Sequence, residues 1–386
     1  MTLLLAVIFI SFIGLGLPDS ALGTAWPAIY TEFALPVSTA GYISLLVGGC
    51  TVISGFFGAR LIAKWGTGKV TAVSTLMTAL ALFVFVYTKN PVLFFLLAIP
   101  LGLGAGCVDA GLNSFVALHY SASQLNYLQC FYGIGVSLTP YLMALALGQD
   151  NNWRNGYLMV AIIQSVITVI TFAALPLWEK MEKRLSAKEE TPAKILKLSQ
   201  MLKISGVGWS CMGLLVCCGI ELTAGGWIST YFVNRMEIPA SHAAAVTMLY
   251  YIGLSIGRFV SGLLASKLTR WQLLGIFSTV MAVAVVGLCL PFGTAFAAVC
   301  VFLLGLGIGP VFPNFIHLAP QVFGRDIASS VISMQTAATY IGIMLLPTLC
   351  GALAQRISMS VIPLYLLAMC ILFLLSLSCL RRAVTK

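Results

Sequence analysis

The sequence predicts an all-α membrane protein: twelve transmembrane helices arranged as two pseudo-symmetric six-helix bundles. Three observations predict it. The 386 residues are 60% hydrophobic and only 8% charged, against about 25% charged in soluble domains. The bilayer, not water, must therefore solvate most of the surface. The apolar runs also recur at lengths that fit the ~20 residues a helix needs to cross the hydrocarbon core, and the two halves of the chain repeat each other's landmarks.

Taken in order, apolar runs and turn signals place spans near 3–30, 38–63, 69–88, 91–117, 127–148 and 153–178, then 205–231, 241–267, 269–290, 293–318, 327–353 and 359–381. The chain divides into an N-terminal six-helix bundle (1–178), a cytoplasmic linker (179–204) and a C-terminal six-helix bundle (205–386). The N-terminus lacks the positive region of a signal peptide, so Met1 to Tyr30 reads as a retained first helix. Within the linker, Ala193 to Lys203 sets Ile195, Leu198 and Leu202 on one face. That pattern fits an interfacial helix on anionic headgroups, or a solvated connection.

Charges give the direction. With the N-terminus inside, the inner loops hold Arg60, Lys64, Lys69, the basic residues from Lys180 to Lys203, Lys267, Arg270, Arg325, Arg381, Arg382 and Lys386. The outer loops hold only Lys89, Arg154, Arg235 and Arg356. The excess places both termini in the cytoplasm of a multi-pass protein of the cell inner (plasma) membrane. It also accounts for the net charge of +10, which is therefore no sign of a nucleic-acid partner. The eleven cysteines fall inside apolar runs without a CxxC spacing. Neither disulfides nor a zinc site are indicated, and no metal or cofactor is expected.

The repeat is a shift of 203 residues, from Gly102 to Gly305. It lays Gly102-Leu-Gly104-Ala-Gly106-Cys-Val108 on Gly305-Leu-Gly307-Ile-Gly309-Pro-Val311, Lys64 on Lys267, and Pro36-Val-Ser38 on Pro239-Ala-Ser241. A slightly longer shift matches Ile134-Gly135 and Pro140 to Ile341-Gly342 and Pro347. Parallel repeats of six helices are the pattern of a two-bundle transporter. The glycine runs lie inside apolar helices with no strand before them, so they read as close helix packing and not as dinucleotide loops. Gly253, Gly257 and Ser261 carry the same spacing. Gly68-Lys69 falls short of a Walker A loop, with Ala63 at the first glycine position and Val70 in place of Ser/Thr. Coupling to an ion gradient is expected in place of ATP.

Three acids stand alone in apolar spans. Asp109 is the only charge between Pro91 and Leu118, Asp19 has no charged neighbour from Met1 to Thr31, and Glu221 is isolated between Lys203 and Arg235. An ionised side chain at the bilayer centre costs at least ~2.5–3.5 kcal/mol on insertion scales, so such residues mark solute or proton paths. The repeat brings Asp19 almost onto Glu221, whereas Asp109 falls on Phe312. Asp109 and Asp19 are therefore read as acids that line a solute or proton path.

Asn113 lies at i+4 from Asp109, on the same helix face. The fifth span opens with Asn126, then Gln129 and Tyr132 at successive i+3 steps, beside Phe131. Carboxylates and carboxamides bond hydroxyls while aromatic faces cover C–H surface, as a sugar or polyol needs. The other reading of such amides is interhelical packing at ~0.6 kcal/mol each. The second half offers Glu221, Trp227, Asn314 and Gln335 for solute contacts, with Tyr231, His317 and Tyr340 nearby in the same spans. Trp26, Tyr30, Trp227 and Tyr231 sit toward helix ends, where interfacial aromatic belts also occur. Arg258 lies nine residues before Lys267, ~13 Å along a helix. A gating or structural ion pair is its expected role, with Lys64 and Lys267 as further gating positions.

These residues resemble the major facilitator superfamily along nearly the whole chain. Ala59-Arg-Leu-Ile-Ala-Lys64-Trp-Gly66-Thr-Gly-Lys69 is similar to its GxLaDrxGrk loop, although Ala63 and Ser266 stand at the two acid positions. Within it the chain resembles the fucose and glucose/galactose proton-symporter branch. Pro18-Asp19-Ser-Ala-Leu22 is similar to an NDxL-like stretch, Asp109-Ala-Gly-Leu-Asn113-Ser-Phe115 to ETAANPF, Asn126-Tyr-Leu-Gln129-Cys-Phe131 to N-x-x-Q-x-F, and Ile256-Gly-Arg258-Phe259 to IGRF. The resemblance implies that Asp19 and Asp109 serve sugar binding and proton coupling.

The combined expectation is a monomeric, non-enzymatic secondary transporter: a symporter of a small polar solute, a sugar above all, with H⁺ or Na⁺, working by alternating access. An exporter on the same fold is the main alternative. The GxxxGPxxGG stretch common in such antiporters is missing at Gly135-Val-Ser-Leu-Thr-Pro140.

Overall fold

The computed structural model describes residues 2–120, 122–150, 152–185, 198–201 and 203–384. The first half comprises α1 (Thr2–Asp19), α2 (Ala21–Glu32), α3 (Thr39–Trp65), α4 (Thr67–Tyr87), α5 (Val92–His119), α6 (Ala122–Asp150), α7 (Trp153–Ala173) and α8 (Leu175–Leu185). After α9 (Leu198–Met201), the second comprises α10 (Val207–Arg235), α11 (Ala240–Leu264), α12 (Arg270–Leu288), α13 (Thr294–Ile308), α14 (Val311–Phe323), α15 (Arg325–Arg356) and α16 (Val361–Val384). Among the described residues, eleven helical stretches are long and apolar enough to cross a bilayer, and Thr39–Gly55 of α3 supplies a twelfth, shorter apolar helix. The chain is a multi-pass membrane protein of the expected class.

Two compact units emerge from the packing. One holds Met1–Glu189 with Ile228–Val233 and Glu237–Met248; the other holds Glu190–Trp227, Asn234–Met236 and Leu249–Lys386. The sequence-based interfacial helix at 193–203 falls mostly outside the described residues, which retain only Leu198–Met201 and Lys203 of it.

The start of the expected linker is structured. The sixth span turns at Ala174 and continues as α8, whose Trp178 is only 2% exposed. Its indole packs edge-on to Phe115 at 4.7 Å, within a cluster that includes Leu4, Ile8, Val116 and Leu128. Burying so large an aromatic surface anchors the helix to the bundle. At the opposite end, Arg154 donates to the Glu32 carboxylate at 2.7 Å and to the Thr88 carbonyl at 3.1 Å, while Trp153 donates to the same carboxylate. These charge-assisted bonds tie α2, α4 and α7 together.

Two spans are broken, and proline explains both. The first span divides at Ser20, just after Pro18-Asp19. Pro18 has no N–H for the carbonyl four residues back, and Thr139 supports the break by donating to the Leu17 carbonyl at 2.8 Å. The tenth span divides at Gly309-Pro310. There Pro313 leaves the Gly309 carbonyl without its i+4 donor.

The repeat is written into the helix contacts. Gly102 and Gly106 of α5 lie on the Val47 and Thr51 carbonyls of α3; Gly305 and Gly309 lie on the Tyr250 and Leu254 carbonyls of α11. Every partner is displaced by the same 203 residues, as 250 from 47 and 254 from 51. A Cβ at any of the four glycines would strike backbone, so only glycine permits the approach. Gly135 on the Ile13 carbonyl and Gly342 on the Leu215 carbonyl repeat the device in the other helix pair.

Candidate functional site

The N-terminal half assembles its polar residues around α6. On α5, Asn113 donates its Nδ2 to Asp109 Oδ1 at 2.8 Å across one helical turn. Gln129 of α6 donates its Nε2 to Asn113 Oδ1 at 3.1 Å. The result is a chain of three groups, Gln129 to Asn113 to Asp109. An ionised carboxylate only accepts, so the direction of both bonds follows from Asp109. No lysine or arginine pairs with Asp109 among the described residues.

One turn further along α6, the Tyr132 hydroxyl donates to Asp19 Oδ2 at 2.9 Å. The close backbone approach at Gly135 brings α6 near enough to α1 for this reach. Asp19 is exposed at the break of the first span. The two acids thus meet through a helix: α6 carries Gln129 toward one and Tyr132 toward the other. Phe131 stacks on Phe9 at 4.7 Å beside them. Asn126 lies on α6, but its side chain is outside the described residues.

The C-terminal half treats its acid differently. Arg258 Nη2 sits 3.0 Å from Glu221 Oε1, with the two side chains only 9% and 12% exposed. The Arg258 Nε donates to the Gly309 carbonyl at 3.2 Å, the very oxygen that Pro313 deprives of a helical partner. Tyr250 donates to the Glu221 backbone carbonyl at 2.9 Å. Neither Tyr250 nor the Gly309 carbonyl was picked out from the sequence. The second could have been found, since a proline always orphans the carbonyl four residues before it.

Other sequence-based candidates are occupied by helix packing. Trp227 is buried and donates to the Pro347 carbonyl at 2.9 Å. Asn314 is buried, donates to Ser261 Oγ at 2.8 Å and the Pro310 carbonyl at 2.7 Å, and accepts from Arg270 at 3.3 Å. Gln335 is fully buried and bonds Ser210 Oγ. In this structure these three side chains bond between helices. The belt reading of Trp26 and Trp227 is corrected, because both are buried and Trp26 donates to the Val37 carbonyl at 2.8 Å.

The expected gating positions Lys64 and Lys267 lie at the surface. Both are exposed and neither forms an ion pair among the described residues; Lys64 instead lies 5.9 Å from the Trp65 ring. Ala63 and Ser266 explain this, since each stands where an acid would be needed.

Broken spans, glycine-mediated helix contacts repeated in both halves, and polar groups held inside apolar helices define a secondary-transporter fold. The major facilitator superfamily model matches residues 4–347, and the chain belongs to that family of transporters. It is 23% identical over 308 residues to the glucose/mannose transporter GlcP of Bacillus subtilis, covering 77% of this chain and 76% of that protein. A putative glucose/galactose transporter of Helicobacter pylori is 24% identical over 336 residues, covering 81% and 79%. A yeast relative from Saccharomyces cerevisiae, bypass of stop codon protein 6, is 22% identical over 72% of this chain, which spans 62% of its length. Among solved structures, a mutant of the nucleoside transporter NupG superposes with TM-score 0.75 at 14% identity, covering 97% of this chain and 98% of that one. The Escherichia coli fucose:proton symporter FucP superposes with TM-score 0.66 at 16% identity, covering 99% and 98%.

Proposed function

We propose that this transporter is a proton-coupled symporter of a sugar or similar small polar solute, working by alternating access. It acts as a monomer in the plasma membrane with both termini in the cytoplasm. Asp109 carries the proton. The observation that supports this most is its setting: a carboxyl inside an apolar span, held by the amide of Asn113 with no cation paired to it among the described residues. A neutral partner leaves the acid free to change protonation, whereas a paired arginine would hold it ionised. Asp19 and Tyr132, at the break of the first span, bind solute hydroxyls together with Gln129. The solutes of the relatives, glucose/mannose, glucose/galactose and fucose, support the solute class.

Reconstituted vesicles test the reading with radiolabelled D-glucose, D-galactose and L-fucose under an imposed proton gradient. Asp109→Asn is expected to abolish gradient-driven accumulation of the transported sugar while retaining counterflow exchange. Accumulation that persists in this variant, or that follows a sodium gradient instead, sinks the proposal.

A further inference from the structure

The three-group chain on α5 and α6 has a property that neither proton carrying nor solute binding requires. Each carboxamide has one donor end and one acceptor end. With Asp109 ionised, Asn113 must turn Nδ2 to it and Oδ1 to Gln129, so Gln129 uses Nε2 there and leaves Oε1 as its outward atom. That oxygen has no partner among the described residues. Add a proton to Asp109 and its hydroxyl becomes a donor. The matching arrangement is the reverse: Asp109 O–H donates to Asn113 Oδ1, Asn113 Nδ2 donates to Gln129 Oε1, and Gln129 turns Nε2 outward.

We propose that Asn113 and Gln129 form a hydrogen-bond polarity relay, by which the protonation state of Asp109 sets whether Gln129 offers the solute an acceptor or a donor. The proposal rests on Asp109 being the proton carrier and deepens that reading. One proton is taken up at Asp109, and two amide rotations carry its effect one turn along α5 to Asn113 and across to Gln129 of α6. Gln129 is the specificity-determining group, and Asn113 positions it.

The surroundings leave Asp109 as the input. Of the elements packed on α5, α3 brings Arg60 and Lys64, both exposed, and α4 brings Lys69, which pairs with Glu179 at 3.7 Å. From α1 comes Asp19, bonded to Tyr132 of α6, and α6 adds Cys130. None of these bonds to Asp109, whose hydrogen-bond partner is Asn113. A solute hydroxyl that meets the wrong end of Gln129 loses one hydrogen bond, on the order of tenfold in affinity.

Infrared difference spectroscopy between acid and alkaline pH tests this on the full-length detergent-solubilised protein, with isotope-labelled glutamine and no solute. Gln129→Met assigns the Gln129 carbonyl band, and Asp109→Asn assigns the carboxyl band. In the wild type the two bands are expected to shift over the same pH interval. In Asn113→Leu the carboxyl band should still titrate while the Gln129 band stays fixed; Asn113→Ala serves if the leucine variant does not fold. A wild-type Asp109 band that titrates over a static Gln129 band overturns the relay alone, since a protonated carboxyl then turns its own carbonyl to Asn113. An Asp109 band that never titrates overturns the relay and the proton-carrier reading together.

Discussion

The two halves of this transporter share a helix scaffold and use it to hold a buried acid in two different ways. Gly106 and Gly309 make the same backbone contact, 203 residues apart, yet the helix beside each has its own polar centre. In the first half, Asp109 is held by a neutral amide. In the second, Glu221 is held by Arg258, which is itself clamped to the Gly309 carbonyl. A carboxyl bonded to an amide can gain a proton at the cost of rearranging one hydrogen bond. A buried carboxylate paired with a guanidinium resists that change, because protonation would strand the arginine. On the proposed reading, the difference separates a centre that can change state from one that fixes the structure.

The largest effect expected from breaking that comparison is at Arg258. Arg258→Met leaves Glu221 buried without its cation and should cost ~3–5 kcal/mol of stability, read as loss of monodisperse protein in a heated size-exclusion assay. Glu221→Gln combined with Arg258→Met should recover most of that loss, because it removes the stranded charge. If the single variant is as stable as the wild type, the C-terminal pair is no structural centre. Next come the glycine contacts. Gly106→Leu and Gly309→Leu should each destabilise by ~1–3 kcal/mol from overpacking, and by similar amounts if the halves are built alike; a large inequality in melting temperature would argue against a shared scaffold. At Asp109 the expected stability change is under about 1 kcal/mol for Asp109→Asn, since the amide keeps a bond to Asn113, although accumulation is lost. The smallest effect is at Lys69→Ala. Its pair with Glu179 spans 3.7 Å between side chains that are 58% and 57% exposed, so a change within ~0.5 kcal/mol is expected on the same thermal assay.

Local relations were legible in the sequence, and rotational ones were not. Asp109 and Asn113 share a face because four residues make about one turn, and no structure is needed to say so. The span count, the repeat and the glycine packing likewise rest on period and length. The partner of Arg258 could not be read, since Glu221 lies on another helix and their meeting depends on how α10 and α11 are rotated. The same limit applies to Trp227, Asn314 and Gln335: an amide or indole in an apolar span looks alike from the sequence whether it faces a solute or a neighbouring carbonyl. At Lys64 and Lys267 the missing acids at Ala63 and Ser266 already argued against an ion pair, and the structure agrees with the local reading over the position in the loop pattern. The α8 helix escaped notice because the acids and bases around Trp178 hide a single buried anchor.

The glycine contacts have a consequence for how such a chain can change. At the repeated glycine contacts of both halves, helix spacing is set by backbone resting on backbone. Positions 109 and 312 occupy matching places after Gly106 and Gly309, yet one holds an acid and the other a phenyl ring. Because the glycine contacts do not involve them, either can be exchanged while those contacts remain. A duplicated scaffold of this kind can carry a new ion or solute preference in one half while the other half keeps the molecule folded.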